Sequence, residues 1–348
     1  MKRKVVHILS RARGGVHTFL RDLVLGTNEE YDITILVLGA SDSLDVFERN
    51  HVKTICLNKT RFFTFQVLRS IFNIIRQHDV VHVHLFPTLY LCAFLRPLFL
   101  HKTFIFTEHA SLNSRRNHTF LRFIEIPIYK LYSYVVAVSK SCKSNLDDWL
   151  LRTKKVEFIY NGIAYNKLPV IKPFDFRSYG INAKYVVTMV SRLSSDKDFD
   201  TLLKAFTYLD SDYHCVLVGD GELKHEIEQK ISNYNLASHV SLLGYRSDVL
   251  SILSASSLSV LSSFGEGFSL TILESLAVNT LCIGSDVTGI RDILPPSLLF
   301  NPSDSQDLAR KIKHYCTIVP NHTLCYNLLK PFSIDHTIAS YKKLYNLI

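Results

Sequence analysis

The chain has 348 residues, of which 47% are hydrophobic and 20% are charged, so its side chains suffice for a large buried core. This composition excludes an intrinsically disordered chain, and the length is typical of two domains of ordinary size. Residues 1–165 hold 23 Lys and Arg against 13 Asp and Glu (+10), whereas residues 166–348 hold 17 against 18 (−1).

Apolar runs rich in Val, Ile and Phe alternate with segments of helical periodicity, a pattern typical of parallel α/β architecture. In the first half the predicted strands are Val5–Ser10, Ile33–Leu38, Lys53–Leu57, Val80–His84, Thr103–Thr107, Tyr134–Val138 and Val156–Ile159. In the second half they are Tyr185–Val190, His214–Val218, Val240–Leu242, Ser257–Leu261, Leu281–Ile283 and Leu298–Phe300. Each half is expected to be a doubly wound sheet, which binds ligands where its strands end.

The alternation of strands and helices is least regular over the segment 166–184, which contains Pro and Lys and has little periodicity. We therefore predict an N-terminal domain over residues 1–165, a linker over 166–184, a C-terminal domain over 185–331 and a last segment over 332–348. The most apolar stretch, residues 85–100, is broken by two prolines and an arginine, so no membrane span is predicted. The short apolar run after the basic start is interpreted as a strand, and the scattered cysteines indicate a reducing cytoplasm.

A glycine pair follows the first predicted strand. Gly14 and Gly15 come just before a helix predicted over Thr18–Leu25. Adjacent glycines let the backbone turn tightly and approach a ligand, although an ordinary strand–helix turn explains them equally simply.

Three histidines lie in or just after strands of the first half. Glu108 and His109 follow the strand Thr103–Thr107, where His109 is either a ligand-facing or a structural residue. His82 and His84 alternate on one face of a strand. Metal binding would need further ligands, which the sequence does not supply, so no metal site is predicted.

Two cations follow the strand Tyr185–Val190. Arg192 and Lys197 lie in one turn, where a pair of cations can neutralise a diphosphate leaving group without a metal. The nearby acidic residues suggest a divalent-metal site at first sight, but we interpret Asp198 or Asp200 as the cap of the next helix. Gly219, and then Gly244 with Tyr245, mark two further strand-end turns, the second suited to holding a nucleobase.

The most informative stretch is 264–274, in which Glu266 and Glu274 lie eight residues apart. If the intervening residues were helical, the two carboxylates would be about 12 Å apart along the axis, a span that suits the two ends of a nucleotide sugar. Gly267 brackets the turn, and the following helix start offers backbone N–H groups to a diphosphate. Those N–H groups belong to Phe268, Ser269, Leu270 and Thr271.

Arginines alternate with aromatic and aliphatic residues over 58–77, and a second basic-aromatic patch lies at 115–123. A basic amphipathic helix of this kind either lies in a membrane interface or faces the core with its arginines in solvent. Together with the basic first half, the pattern predicts contact with anionic lipid, and it contains no nucleic-acid-binding motif.

In this order the motifs resemble family 4 of the retaining glycosyltransferases with GT-B fold. The matching pieces are Gly14-Gly15, Val138-Ser139-Lys140, Tyr160-Asn161-Gly162-Ile163, Ser191-Arg192-Leu193 with Lys197, Gly219-Asp220-Gly221, Leu243-Gly244 and Phe264 to Glu274. The resemblance implies two Rossmann-like doubly wound domains facing across a cleft, with a C-terminal helix over 332–348 that crosses back to the first domain.

The resemblance also implies residue roles in the second half. Arg192 and Lys197 would hold the donor diphosphate, with the N–H groups of 268–271 completing the cradle. Glu274 would bind the ribose hydroxyls, and Glu266 would bind the donor sugar.

In the first half, the resemblance implies that Gly14 and Gly15 line the cleft and that His109 lies near the reacting centre. The chain departs from the family pattern at Ser191, where Gly is usual, and at Ser269, where Gly is again usual. Neither departure removes a charged group, and Ser269 is expected to change the donor-sugar contacts.

The function implied is a cytoplasmic, membrane-peripheral, retaining and metal-independent transferase without a cofactor, which moves a sugar from a nucleotide-diphosphate donor. Its acceptor would be a glycan or lipid-diphosphate-linked glycan of capsule or lipopolysaccharide biosynthesis. Two alternatives stay open: a nucleotide-sugar 2-epimerase on the same architecture, with Glu108 and His109 as acid and base, and a non-catalytic nucleotide-sugar-binding partner protein.

Overall fold

The computed structural model describes residues 2–41, 44–109, 114–318 and 322–347. The chain forms two compact units, the first of Met1–Ala164 with Phe332–Ile348 and the second of Tyr165–Pro331. The segment 166–184, predicted as a linker, belongs to the second unit. Phe176 and Ile181 are buried there, and the Phe174 N–H donates to the Ser251 carbonyl at 3.1 Å.

Thirteen strands lie within the described ranges. They are β1 Arg3–Leu9, β2 Tyr31–Val37, β3 Lys53–Cys56, β4 Val80–His84, β5 Thr103–Glu108, β6 Tyr134–Ala137, β7 Val156–Phe158, β8 Tyr185–Val190, β9 Tyr213–Val218, β10 Val240–Gly244, β11 Leu258–Leu261, β12 Cys282–Ser285 and β13 Leu299–Phe300. Every predicted strand is present, with its ends within two residues of the prediction.

Thirteen α-helices lie within the same ranges. They are α1 Gly14–Leu25, α2 Asp45–Arg49, α3 Phe65–Arg76, α4 Thr88–Leu95, α5 Leu121–Lys130, α6 Lys140–Trp149, α7 Phe199–Phe206, α8 Lys224–Asn233, α9 Val249–Ala255, α10 Leu270–Ala277, α11 Ser305–Cys316, α12 His322–Leu329 and α13 Ile334–Asn346. Among these helices, none has both the length and the apolar character needed to cross a bilayer.

The strands form two parallel sheets, one in each unit. The first has the order β3-β2-β1-β4-β5-β6-β7 and the second β10-β9-β8-β11-β12-β13. Successive strands are added on one side of the starting strand and then on its other side, which is the doubly wound arrangement. The parallel α/β fold predicted from the sequence is therefore confirmed. Strands such as β6, in which Val135, Val136 and Ala137 are all buried, are covered on both faces and therefore read as continuous apolar runs.

Two helices of the first unit differ from the sequence predictions. Helix α1 begins at Gly14, four residues before the predicted start at Thr18, so the glycine pair belongs to its first turn. Helix α3 lies within the basic-aromatic stretch 58–77, and it buries Val67 and Ile71 in the core while Arg69 is exposed. The body of α3 therefore follows the core-facing interpretation of that stretch.

Helix α13 packs on the first sheet through two tyrosines. The Tyr345 hydroxyl lies 2.8 Å from His82 Nδ1, and the Tyr341 hydroxyl lies 3.0 Å from Thr107 Oγ1. Before the helix, Ser333 pairs with Ile163 in a parallel bridge, and a Cβ on Gly162 would lie 2.7 Å from the Ile334 nitrogen. Only a glycine permits this approach, which fixes the C-terminal helix to the unit that holds β1–β7.

Candidate functional site

The candidate residues of the second unit follow the two strands where the winding of its sheet reverses. From β8 the chain builds β9 and β10 on one side, and it then places β11 on the other side of β8. Arg192 and Lys197 follow β8, and Glu266 follows β11. An antiparallel bridge between Lys197 and Ser263 joins the two loops. Such a reversal is the place where doubly wound sheets bind ligands.

The Lys197 ammonium lies between two carboxylates. Its Nζ donates to Glu266 Oε1 at 2.7 Å and to Asp196 Oδ2 at 2.5 Å. The side chains of Lys197 and Glu266 are only 10% and 15% exposed, so the pair is largely shielded from water. An ammonium has three N–H donors, and within the described ranges two of those of Lys197 are engaged, which leaves one further donor for a ligand oxygen.

The neighbouring carboxylates keep the Lys197 ammonium charged. Burial by itself lowers the pKa of Lys197, but the nearby carboxylates of Glu266 and Asp196 outweigh it and raise the pKa above its ordinary value. Burial has the opposite sign for Asp196, and hydrogen bonds from Lys197 and Ser194 more than offset it, so the pKa of Asp196 is lowered. At neutral pH the site therefore holds a protonated Lys197 beside the ionised Asp196.

Arg192 is more exposed than Lys197. Its Nε lies 3.1 Å from Ser194 Oγ, and one terminal nitrogen lies 3.6 Å from Asp196 Oδ1. A guanidinium held loosely at the surface can turn toward an incoming anion. The Asp198 carboxylate accepts from the Thr201 N–H at 3.1 Å, so Asp198 caps α7 as one of the two capping alternatives proposed.

The strand-end glycines permit close backbone approach. Gly219 has φ +140°, and a Cβ there would lie 1.9 Å from the Ser191 carbonyl oxygen. Gly244 has φ +68° with open space around it, and its carbonyl accepts from the Gly219 N–H at 2.8 Å. Tyr245 is exposed beside it. The turns after β8, β9 and β10 therefore meet at one edge of the sheet.

Helix α10 begins later than the spacing estimate assumed. Leu270 is its first residue, and the Ser269 hydroxyl caps it by accepting from the Ile272 N–H at 3.4 Å. Gly267 and Phe268 lie in the preceding loop, so the 12 Å helical separation estimated for Glu266 and Glu274 does not apply. Leu270 and Thr271 occupy the first turn, where N–H groups have no partner four residues back.

Glu274 lies one turn into α10 and is partly buried. The segment before the helix is fixed by the Glu266 N–H, which donates to the Thr288 carbonyl at 3.2 Å. Gly289, with φ +82°, allows this contact, because a Cβ there would lie 2.3 Å from the Glu266 carbonyl oxygen. The backbone of Glu266 is thus held by a second loop of the same unit.

In the first unit, the glycine pair and His109 follow β1 and β5. Gly14 has φ +54° and, like Gly15, is exposed at the start of α1. His109 is partly exposed, and its Nε2 lies 3.1 Å from Nδ1 of the buried His84. Burial lowers the pKa of His109 to about 4, so its imidazole is neutral at pH 7.

Glu108 does not offer a free carboxylate beside His109. It is buried, and its Oε2 accepts from Arg116 at 2.8 Å and from the Tyr129 hydroxyl at 2.9 Å. A carboxylate held in this way is poorly suited to remove a proton from a substrate, which weakens the epimerase alternative.

Two residues of these clusters, Asp196 and His7, are not recognisable as site residues from the sequence. Asp196 is one of the acidic residues beside Lys197 that suggest a divalent-metal site, and it is instead the second carboxylate on Lys197. His7 was not singled out, although its Nδ1 lies 3.1 Å from His84 Nε2. Register explains the second omission, since His7 pairs with His82 across β1 and β4 and alternation then places His84 on the same face.

Two family profiles match the chain, one in each half. Residues 13–167 match the family described as Glycosyltransferase Family 4, and residues 171–318 match the family described as Glycosyl transferases group 1.

Among curated proteins, the chain is 27% identical over 311 residues to the Escherichia coli UDP-Gal:alpha-D-GlcNAc-diphosphoundecaprenol alpha-1,3-galactosyltransferase, covering 83% of this chain and 80% of that protein. It is 24% identical over 319 residues to the Campylobacter jejuni GalNAc-alpha-(1->4)-GalNAc-alpha-(1->3)-diNAcBac-PP-undecaprenol alpha-1,4-N-acetyl-D-galactosaminyltransferase, covering 86% and 85%.

The fold is shared with solved glycosyltransferase structures. The Anabaena HepE protein in complex with UDP and glucose superposes with a TM-score of 0.84 at 17% identity, over 98% of each chain. The lipopolysaccharide outer core galactosyltransferase WaaB has a TM-score of 0.71 at 16% identity, over 98% of each chain. The two family matches, the relatives and the two doubly wound sheets together show that the chain is a glycosyltransferase of family 4 with the GT-B fold.

Proposed function

We propose that the protein transfers a sugar from a UDP-sugar to a lipid-diphosphate-linked glycan, with retention of anomeric configuration, in the assembly of a bacterial capsule or lipopolysaccharide. The observation that carries the proposal is the shielded Lys197 ammonium between Glu266 and Asp196, where the second sheet reverses its winding. A charged donor with one N–H to spare suits a diphosphate oxygen.

In the proposed site, Arg192 and Lys197 bind the diphosphate together with the first turn of α10. The helix dipole adds a partial positive charge at Leu270 and Thr271. Glu266 accepts hydrogen bonds from hydroxyls of the donor sugar, and Glu274 accepts hydrogen bonds from the ribose hydroxyls.

The reaction breaks the bond from C1 of the sugar to the β-phosphate oxygen and forms a bond from the acceptor oxygen to C1 on the same face. The acceptor proton passes to the departing diphosphate. Arg192 and Lys197 stabilise the charge that develops on this leaving group, a role that needs no metal ion. Positioning and charge stabilisation then supply most of the rate enhancement.

The names of the relatives support the donor and acceptor classes. The E. coli relative uses UDP-Gal and a diphosphoundecaprenol-linked sugar, and the C. jejuni relative acts on an undecaprenol-linked glycan. Both names specify alpha linkages, which an alpha-configured nucleotide sugar yields by retention.

An exposed apolar surface on the first unit supports contact with the membrane that carries such an acceptor. This membrane-facing patch comprises Phe63, Phe65, Phe94, Leu98, Leu100, Phe120, Phe123 and Ile124, with exposures from 49% to 79%. These residues lie on or beside α3, α4 and α5, of which α4 contacts both others, and exposed apolar surface of this kind marks interaction sites. Residues 1–165 carry the excess of +10 (23 Lys and Arg against 13 Asp and Glu), so the surface complements anionic lipid. We place the enzyme at the inner face of the cytoplasmic membrane.

A transfer assay tests the proposed reaction. The protein is incubated with UDP-galactose, UDP-N-acetylglucosamine or UDP-N-acetylgalactosamine and with undecaprenyl-diphosphate-linked N-acetylglucosamine, with and without EDTA. We expect one donor to give an alpha-linked product at an unchanged rate in EDTA. A beta-linked product would contradict retention, and a new epimer of the donor without acceptor would favour the epimerase alternative.

Vesicle flotation tests the membrane contact separately. We expect the protein to float with phosphatidylglycerol vesicles at low salt and the double variant Phe94→Glu/Phe123→Glu to lose this binding. Val170→Glu is the matched control, because Val170 is a fully exposed apolar residue of the second unit. Equal flotation of the double variant and the control would refute the assignment of the patch.

A further inference from the structure

A chain of three imidazoles leads from His109 into the core of the first unit. His109 Nε2 lies 3.1 Å from His84 Nδ1, and His84 Nε2 lies 3.1 Å from His7 Nδ1. His7 and His84 are buried on the central strands β1 and β4, and His109 follows β5. These contacts connect His109 to His84 and His7, which need not contact a substrate themselves.

The two hydrogen bonds among these three histidines must donate in the same direction. A neutral imidazole carries one N–H donor and one acceptor nitrogen, and each of the two contacts needs one of each. Both hydrogen bonds therefore donate toward His7 or both donate toward His109. In the first case all three rings are Nε2–H tautomers, and in the second all three are Nδ1–H tautomers.

The buried end of the chain decides between the two directions. His7 Nε2 is buried and has no hydrogen-bond partner among the described residues. A proton on this nitrogen would be an orphaned buried donor, whereas a bare lone pair there is an unsatisfied acceptor, and orphaned buried N–H groups are the rarer case in folded proteins. The direction toward His109 is therefore favoured.

We propose that His7 and His84 are positioning residues that hold His109 in the Nδ1–H tautomer, so that His109 meets the substrate as a hydrogen-bond donor. This inference rests on the proposed placement of His109 near the reacting centre. Because Nε2 of His109 is engaged by His84, Nδ1 is the ring nitrogen that can meet an oxygen of the sugar or the diphosphate. A donor of this kind stabilises an oxygen and does not abstract the acceptor proton.

Burial keeps the three imidazoles of His7, His84 and His109 uncharged. Burial lowers the pKa of His7 to about 3, and it lowers the pKa of His84 well below its ordinary value, with the neighbouring histidines adding to the effect. All three rings are thus uncharged at pH 7, which is the state in which the direction of donation is defined.

A metal ion is the competing explanation of this cluster. Ring nitrogens of His7, His82 and His84 all lie within 4.8 Å of one another. However, His82 Nδ1 and Nε2 each lie 2.8 Å from a hydroxyl, of Tyr345 and Thr107 respectively. A metal would have to displace one of these hydrogen bonds and also one of the two contacts that His84 makes, with His7 and with His109, so the observed contacts favour hydrogen bonding.

Nitrogen-15 NMR on the whole chain, labelled at histidine, tests the inference without any substrate. We expect the signals of His109, assigned by their loss in His109→Asn, to report a protonated Nδ1 and an unprotonated Nε2 at pH 7.5. An Nε2–H tautomer at His109 would overturn the proposal. Because no substrate is needed, failure here would leave the proposed transfer reaction intact, and an inactive protein with the expected tautomer would leave this inference intact.

Two variants of His7 test whether the three connected histidines affect catalysis. His7→Phe retains a ring without a donor, and His7→Asn retains a donor close to the position of Nδ1. We expect His7→Phe to lose the fixed Nδ1–H tautomer at His109 and about tenfold in kcat, the equivalent of one hydrogen bond, with little change in KM. His7→Asn should retain both.

Equal tautomers and equal kcat in His7→Phe and the wild type would refute the positioning role. So would an increase in Tm with Zn²⁺, together with Co²⁺ absorption bands that disappear in His7→Phe, because these would identify a metal site. The wild-type spectrum decides the tautomer even if a variant does not fold.

Discussion

Replacing Lys197 by Met tests the donor site and the stability of the loop around it at once. The variant removes the ammonium that lies 2.7 Å from Glu266 and 2.5 Å from Asp196 and leaves two carboxylates facing each other. Breaking a buried ion pair costs about 3–5 kcal/mol, and Asp196 is 45% exposed, so we expect a loss of about 1–2 kcal/mol in the free energy of unfolding.

The loss in catalysis should be larger than the loss in stability. Removing one preorganised donor to a developing negative charge costs about 3 kcal/mol of transition-state stabilisation, which corresponds to a decrease on the order of 100-fold in kcat/KM. Urea unfolding measures the free energy of unfolding. UDP release in the presence of acceptor, at a temperature well below the Tm of the variant, measures kcat/KM.

Lys204→Met is the matched control. Its Nζ lies 2.6 Å from Asp200 in the same unit, but the side chain is 50% exposed, so the change should cost less than about 0.5 kcal/mol and leave kcat/KM unaltered. If Lys197→Met retained the kcat/KM of this control, Lys197 would not bind the diphosphate and the assignment of the site would be refuted.

Two further predictions concern stability. Gly219→Ala should cost more than about 2 kcal/mol in urea unfolding, because its Cβ would meet the Ser191 carbonyl oxygen at 1.9 Å, whereas Gly244→Ala, strained but in open space, should cost about 1 kcal/mol; equal losses would contradict the close approach. His7 and His109 have native pKa values of about 3 and about 4 against an ordinary value of 6.5, so the unfolded chain binds more protons below pH 6.5. The free energy of unfolding should therefore fall with decreasing pH, by up to about 1.4 kcal/mol per pH unit for each histidine, and His7→Phe should fall less steeply.

The fold was predictable because its strands are buried on both faces. Runs such as Val135–Val138 read as continuous apolar segments, and the sheet must be parallel because helical segments separate most of them. Strand ends shifted by one or two residues, since hydrogen bonding and not hydrophobicity determines where a strand stops.

The proximity of Arg192, Lys197 and Glu266, the proposed donor-site residues, was predictable for a related reason. Loops after parallel strands meet at one edge of a sheet, so Arg192, Lys197 and Glu266 were expected near one another. The contact between Lys197 and Glu266 joins residues 69 positions apart, which no local pattern contains. The helix start at Leu270 shows the same limit, because the preceding loop is ordered by Thr288 and Gly289 from elsewhere in the unit.

The histidine chain was the least predictable feature. Its members come from three strands or strand ends, and only the register of β1 against β4 brings His7 beside His84. Within a sequence, an isolated histidine in an apolar strand is indistinguishable from an ordinary core residue.

Thermal unfolding in the presence of UDP tests whether the proposed donor site of the second unit binds the nucleotide. At 100 times its Kd, a ligand of the native state adds about 2.7 kcal/mol of stability. We predict that UDP raises the Tm of the wild type and of Lys204→Met, and that Lys197→Met and Glu274→Gln lose this increase. An equal increase in all four proteins would place the nucleotide elsewhere, and no increase with UDP or any other nucleoside diphosphate in the folded wild type would contradict the donor site.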